Sequence, residues 1–126
     1  MAKNAIILTN NTKKEKWNDA VILNAYGRLC DSTIANIFFI KDEVIYTPAL
    51  TEGCIAGIMR KHVIDSIAGR YKIAKGQFTI EDMLAADEIF LTNSIYNLRW
   101  VQSFGEKKYS NHLTQKIYAS VFSTNG

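Results

Sequence analysis

The sequence predicts a single domain of the mixed α/β class, with a mixed, largely antiparallel sheet flanked by helices. Three observations support this. The 126 residues are 48% hydrophobic and 21% charged, which is the balance of one ordinary globular domain. Runs of β-branched and aromatic residues separated by turn residues predict hairpins. Apolar residues at helical spacing recur between those runs, so strands and helices alternate along the chain.

The first half of the chain reads as antiparallel strands that follow a short helical end. Residues 2–8 predict the end of a helix, stopped by Asn10 and Asn11. A strand over residues 17–23 leads into a turn in which Gly27 suits a positive φ, and residues 29–40 return as one long strand. After the turn at residues 41–43, a strand begins at Val44 and stops at Pro48, because proline cannot donate to a ladder.

The second half alternates helices with short strands. A helix opens at Gly57 and ends near Gly69. Thr79 with Asp82 resembles a capping box, and Ser110 is predicted to cap a last helix through Val121. The remaining predicted elements are strands over 71–74, 88–92 and 98–104 and a helix over 80–86.

Composition excludes several kinds of protein. No apolar run approaches the roughly 18 residues of a membrane span, and the N-terminus lacks a secretory layout, which favours the cytoplasm. A net charge of +3 is too small to argue for a nucleic-acid partner. Cys30 and Cys54 lack metal spacing and are expected to be reduced core thiols. His62 and His112 have no further ligand nearby in sequence, so no metal is expected.

One loop has the composition of an anion site. Gly53 and Gly57 bracket a short loop that feeds a helix. The first N–H groups of a helix lack partners within the helix, and the helix dipole places its positive end there. Such a helix start suits a phosphate.

The stretch around this loop resembles a known signature. The pattern is an acidic residue, a small residue and Asn, followed by aliphatic and aromatic residues, then aliphatic-x-Thr and aliphatic-x-Gly-aliphatic-x-basic. It resembles the signature of the class IV aminotransferases, the fold-type IV enzymes that use pyridoxal 5′-phosphate (PLP). The family has Glu at the first position, where this chain has Asp. The matching residues are Asp31, Thr33, Asn36, Ile37, Phe38, Ile45, Thr47, Ile55, Gly57, Ile58 and Arg60.

The resemblance implies a set of cofactor-binding residues. Asp31 would face the pyridinium nitrogen and keep it protonated. The backbone N–H groups of Ile58 and Met59 and the hydroxyl of Ser94 would hold the phosphate, while Asn36 would hold the hairpin in shape. The residues alone leave alternatives open, with Asp31 a solvated strand end and Ser94 part of an ordinary turn.

The Schiff-base lysine that the family needs has no good match in the chain. The resemblance places it before Met1, together with the small N-terminal domain, so residues 1–126 correspond to the C-terminal large domain. Lys3 would lie within a helix and point away from the cofactor, and Lys72 and Lys75 look like solvated strand-edge residues. The chain alone is therefore expected to be inactive. For Arg99, packing on an aromatic ring is favoured over binding a substrate carboxylate.

Within the family, the Gly-Ile-Met-Arg segment and the Asn-Ser loop are most similar to the 4-amino-4-deoxychorismate lyases, which form 4-aminobenzoate on the route to folate. Alternatives are a D-amino-acid or branched-chain amino acid transaminase, or a non-catalytic truncated module. The implied partners are a small-molecule substrate, an amino acid or aminodeoxychorismate, and a second copy of the chain in a homodimer.

Overall fold

Two five-stranded sheets and three α-helices make up residues 7–11 and 16–122, which the computed structural model describes. The helices are α1 (Ile58–Ile67), α2 (Ile80–Leu84) and α3 (His112–Phe122). The strands are β1 (Ile7–Asn11), β2 (Lys16–Leu23), β3 (Leu29–Ser32), β4 (Asn36–Lys41), β5 (Val44–Pro48), β6 (Lys72–Gly76), β7 (Glu88–Asn93), β8 (Asn97–Trp100), β9 (Ser103–Phe104) and β10 (Lys107–Lys108).

The strand order confirms the predicted mixed α/β class, although the strands form two sheets. The first sheet has the order β10-β9-β1-β2-β3 and is antiparallel throughout. The second has the order β6-β5-β4-β7-β8, and its one parallel pair is β5 with β6. Helix α1 provides the crossover between those two parallel strands.

The molecule is layered as sheet, sheet and helices, with apolar side chains in both interfaces. Alternate residues of β4 pack in the two interfaces, because successive side chains of a strand point to opposite faces of the sheet. Ile37 packs in the cluster shared with the first sheet, and Phe38 packs against α1 and α3. The Phe38 ring stacks on Phe90 with centroids 4.7 Å apart. Burial on both faces explains the continuous apolar run of this strand.

The long strand predicted over residues 29–40 is wrong, because the chain passes there from one sheet to the other. Strand β3 pairs with β2 in the first sheet, and β4 pairs with β5 and β7 in the second. The bend between them is closed by the Ser32 N–H and hydroxyl, which both donate to Ala35 O, at 2.9 and 3.1 Å. The strand predicted over 98–104 likewise divides into β8 and β9, in different sheets.

The predicted helical end over residues 2–8 is wrong where the structure describes it. Ile7 and Leu8 belong to β1, which pairs antiparallel with β2. A neighbouring strand that can accept the backbone hydrogen bonds overrides a local helical pattern. Residues 2–6, which include Lys3, lie outside the described part of the chain.

Local turn and cap chemistry matches the predictions except at the last helix. Gly27 has φ 74°, and Thr79 and Asp82 form the reciprocal capping box of α2. Ser110 does not cap α3; its hydroxyl donates instead to Asp87 O, at 3.3 Å. Among the described helices, none is long and apolar enough to cross a membrane.

Helix α3 is instead capped by a residue distant in sequence. The buried carboxylate of Glu88, on β7, accepts the Leu113 N–H at 2.9 Å and the Thr114 N–H at 2.8 Å. It also accepts the Thr114 hydroxyl at 2.7 Å. A strand of the second sheet thus supplies the acceptor that a local cap would have supplied.

Candidate functional site

One cavity gathers all four residues predicted to bind the cofactor. It has a volume of about 170 Å³ and lies where β3 ends, α1 begins and β7 turns into β8. Asp31, Ile58, Met59 and Ser94 all line it. The crossing between the two sheets brings Asp31 to this place, since the bend after β3 forms one wall.

Asp31 is buried in this wall with both carboxylate oxygens engaged. Its Oδ2 accepts the Ile55 N–H at 2.8 Å, and its Oδ1 accepts Asn36 Nδ2 at 2.9 Å. Burial raises the pKa of Asp31 to about 6, although these two hydrogen bonds and the charge of Arg60 oppose the rise. Only 7% of the residue is exposed, so Asp31 is not a solvated strand end.

Asn36 fixes the position of that carboxylate. Its Nδ2 donates to Asp31 Oδ1 and also to Ile55 O, at 2.8 Å. Gly57 packs directly against this amide, and a β-carbon at position 57 would overlap Asn36 Oδ1. Asn36 therefore ties β4 to the end of β3 and to the loop before α1, rather than bonding within the β4–β5 hairpin.

The start of α1 presents free backbone donors to the cavity. Gly57, in an extended conformation, precedes the helix, and no side chain caps it. The Lys61 N–H donates to Gly57 O at 3.1 Å. Within the described residues, the N–H groups of Ile58 and Met59 have no acceptor. Two donors at the positive end of a helix dipole can bind an anion.

The turn that carries Ser94 is held against the opposite wall of the cavity. Asn93 Oδ1 accepts the N–H groups of Ile95 and Tyr96, each at 3.0 Å. Asn93 Nδ2 donates to Ile34 O at 3.0 Å, which links this turn to the bend between the sheets. Ser94 itself is exposed at the rim. The sequence analysis included Asn93 only as part of the Asn-Ser loop and did not predict these hydrogen bonds, although an Asn followed by Ser typically begins a turn of this kind.

Thr92 is a further lining residue that the sequence analysis missed. It is fully buried, and its hydroxyl has no partner among the described residues. The available signal was positional: cross-strand neighbours share a face of a sheet, and Thr92 lies opposite Asn36.

The other candidates lie elsewhere. The Arg99 guanidinium lies 4.1 Å from the Tyr96 ring centroid and 5.6 Å from that of Trp17, which supports the packing role. Lys72 and Lys75 are exposed on β6. Among the residues described, no lysine lines the cavity of Asp31.

Comparison with known proteins agrees with this fold. Residues 4–104 match the model of the amino-transferase class IV family, and the chain belongs to that family. It is 38% identical over 81 residues to an aminodeoxychorismate lyase of Vibrio harveyi, an alignment that covers 64% of this chain and 30% of the relative. A Bacillus subtilis aminodeoxychorismate lyase is 31% identical over 91 residues, with 68% and 31% covered.

A solved structure matches the fold over most of the chain. The branched-chain aminotransferase of the archaeon Thermoproteus uzoniensis, determined with norvaline, superposes with a TM-score of 0.79 and 28% identity. The match covers 82% of this chain and 35% of that one. The chain thus spans about a third of the length of the relatives it matches.

Proposed function

We propose that this chain forms the cofactor-binding part of a PLP-dependent enzyme. The observation that carries the proposal is a buried carboxyl with a raised pKa in the same cavity as an uncapped helix start. PLP has a cationic ring nitrogen and an anionic phosphate, so it needs both kinds of partner in one site. Membership of the class IV family supports the same cofactor.

The residues fit the two ends of such a molecule. The Asp31 carboxylate would balance the charge of the ring nitrogen, and its two hydrogen bonds hold it in place without removing all its acceptor capacity. The N–H groups of Ile58 and Met59, with the Ser94 hydroxyl, would hold the phosphate. PLP supplies an electron sink for bonds broken at the amino-bearing carbon of the substrate.

For the whole enzyme, the proposed activity is that of an aminodeoxychorismate lyase, in 4-aminobenzoate and folate synthesis. The two lyase relatives, at 38% and 31% identity, support this choice. Branched-chain transamination is the second candidate, because the fold superposes on such an enzyme. Since no described lysine lines the cavity, the isolated chain is proposed to bind the cofactor without turning substrate over.

The enzyme is proposed to be a homodimer and to reside in the cytoplasm. Ile34, Ile55, Ile58 and Ile95 are each more than half exposed at or beside the mouth of the cavity, and such a group of apolar side chains suits a partner surface. Cys30 and Cys54 are buried and unpaired, which fits a reducing compartment.

A proline substitution at the start of α1 tests the phosphate site. Ile58→Pro removes one N–H donor at the first helical position, where proline is tolerated. The extended backbone of Gly57, with ψ 140°, suits the residue before a proline. Ile58→Ala, which keeps the N–H, is the matched control, since the side chain is 81% exposed.

We expect the purified chain to bind PLP, measured by quenching of tryptophan fluorescence, and inorganic phosphate to compete. Ile58→Pro should weaken PLP binding roughly tenfold, and Ile58→Ala should not. If the unmodified chain binds no PLP, the proposed function is wrong. Equal PLP affinity of the proline and alanine variants would show that the Ile58 N–H does not contribute to binding.

A further inference from the structure

We infer that the Thr92 hydroxyl is a buried donor to the anionic phosphate oxygen of the molecule bound in the Asp31 cavity. The inference rests on the proposed function and adds a residue that no sequence feature assigned to the site.

Three threonines are buried among the residues whose side chains the structure describes, and only one of these three leaves its hydroxyl unused. Thr47 Oγ1 donates to Ile37 O at 2.7 Å, and Thr114 Oγ1 donates to Glu88 Oε1 at 2.7 Å. Thr92, with no exposed surface, has no acceptor within the described residues. A buried hydroxyl without a partner destabilises a protein, so native folds rarely keep one without a use.

The position of Thr92 shows which molecule could use that hydroxyl. It lies on β7 opposite Asn36, and it lines the same cavity as Ile58 and Met59. Thr47 donates to a backbone carbonyl and Thr114 to a carboxylate, but no such acceptor among the described residues lies within reach of the Thr92 hydroxyl. A ligand in the cavity that Thr92 lines would be adjacent to it. The free N–H groups at the helix start mark this cavity as one for an anion, and a hydroxyl strengthens an anion site when it donates to a charged oxygen.

The test compares Thr92→Val, which removes the hydroxyl but keeps the shape, with Thr92→Ser, which keeps the hydroxyl. Thr47→Val is the matched control, because it removes an equally buried hydroxyl that already has a protein acceptor. Binding of PLP, inorganic phosphate and pyridoxal is measured for each variant of residues 1–126, together with the melting temperature without ligand.

We expect Thr92→Val to weaken binding of PLP and of inorganic phosphate by roughly ten- to a hundredfold. Its melting temperature without ligand should be unchanged or higher, since an unsatisfied buried polar group is removed. Thr47→Val should show the opposite pattern, with a lower melting temperature and unchanged affinity. Thr92→Ser should bind PLP nearly as tightly as the unmodified chain.

Unchanged PLP affinity in Thr92→Val would overturn the inference while leaving the proposed function intact. Equal weakening of pyridoxal, which has no phosphate, would overturn the assignment to the phosphate oxygen. Failure of the unmodified chain to bind PLP or phosphate would overturn both proposals.

Discussion

Gly57 and Asn36 pack so closely that a β-carbon at position 57 would overlap the Asn36 Oδ1 atom. The same Asn36 side chain donates to Asp31 Oδ1 and to Ile55 O. Gly57 therefore influences the candidate site through its lack of a side chain, since any larger residue must displace the amide that orients the carboxylate. It also stands immediately before the free N–H groups of α1.

Gly57→Ala should destabilise the protein by about 1–3 kcal/mol, because the Asn36 amide must move and lose its hydrogen bonds. Urea unfolding measures the change. Gly69→Ala is the control: a β-carbon at position 69 meets no atom within 4 Å, and the substitution should be neutral or slightly stabilising. Equal stability of the two variants would show that Asn36 adjusts without loss.

The contribution of Asp31 to the free energy of unfolding should decrease as the pH rises from about 4 to about 6. The folded state raises the pKa of Asp31 to about 6, above the unfolded value. Below the unfolded pKa the carboxyl is protonated in both states; as pH rises through the folded pKa, keeping the buried charge reduces stability by on the order of 2 kcal/mol. Asp31→Asn removes the titrating group.

The measurement is the difference in unfolding free energy between Asp31→Asn and the unmodified chain across this pH range. The difference cancels the contributions of carboxyl groups common to both proteins. We expect Asp31→Asn to become more stable relative to the unmodified chain as the pH rises from 4 to 6, and the difference to become constant above pH 7. A flat difference would mean that Asp31 has an ordinary pKa.

Glu88→Ala should destabilise the protein by about 2–4 kcal/mol, because two backbone N–H groups of α3 and the Thr114 hydroxyl lose their buried acceptor. Chemical unfolding followed by circular dichroism measures the loss. Glu106→Ala, at an exposed turn, is the control and should change stability by less than about 0.5 kcal/mol. A loss no larger than that of the control would contradict the cap.

The two thiols should react slowly in the folded protein. Burial raises the pKa of Cys30 to about 11 and also raises that of Cys54, whose Sγ donates to Ala49 O. At pH 8 the thiolate fraction of Cys30 should be at least about a hundredfold lower than in the unfolded chain. Reaction with a disulfide reagent, with and without urea, measures the ratio. Fast reaction without urea, assigned with Cys30→Ser, would contradict it.

The elements predicted well from sequence are those whose signals are local. The Gly27 turn, the Thr79–Asp82 capping box and the glycine-preceded start of α1 depend on residues within a few positions of each other. Asp31, Ile58 and Met59 line one cavity because the motif spacing reflects a fixed arrangement of hairpin, loop and helix. Ser94 lines the same cavity because β7, which precedes it, pairs with β4. Their contact with a cofactor remains a prediction.

The elements predicted poorly depend on distant partners. The polar residues Asp31, Ser32 and Thr33 interrupt the apolar pattern of residues 29–40, but such residues also occur at strand edges, so the pattern does not distinguish one sheet from two. Glu88 caps a helix that begins 24 positions later, and the unused hydroxyl of Thr92 is visible only once its surroundings are known. Pairing with β2, rather than local propensity, makes Ile7 and Leu8 a strand.

The crossing between the sheets links occupancy of the cavity to the integrity of the whole molecule. Asp31 belongs to β3 of the first sheet and Thr92 to β7 of the second, so a form in which the sheets separate retains no complete site. A ligand that binds only the assembled form stabilises it by about 2.7 kcal/mol at a hundred times its dissociation constant. When such a ligand is bound, amide hydrogen exchange should slow by a similar factor in β3 and β7, because the two strands would open only by global unfolding.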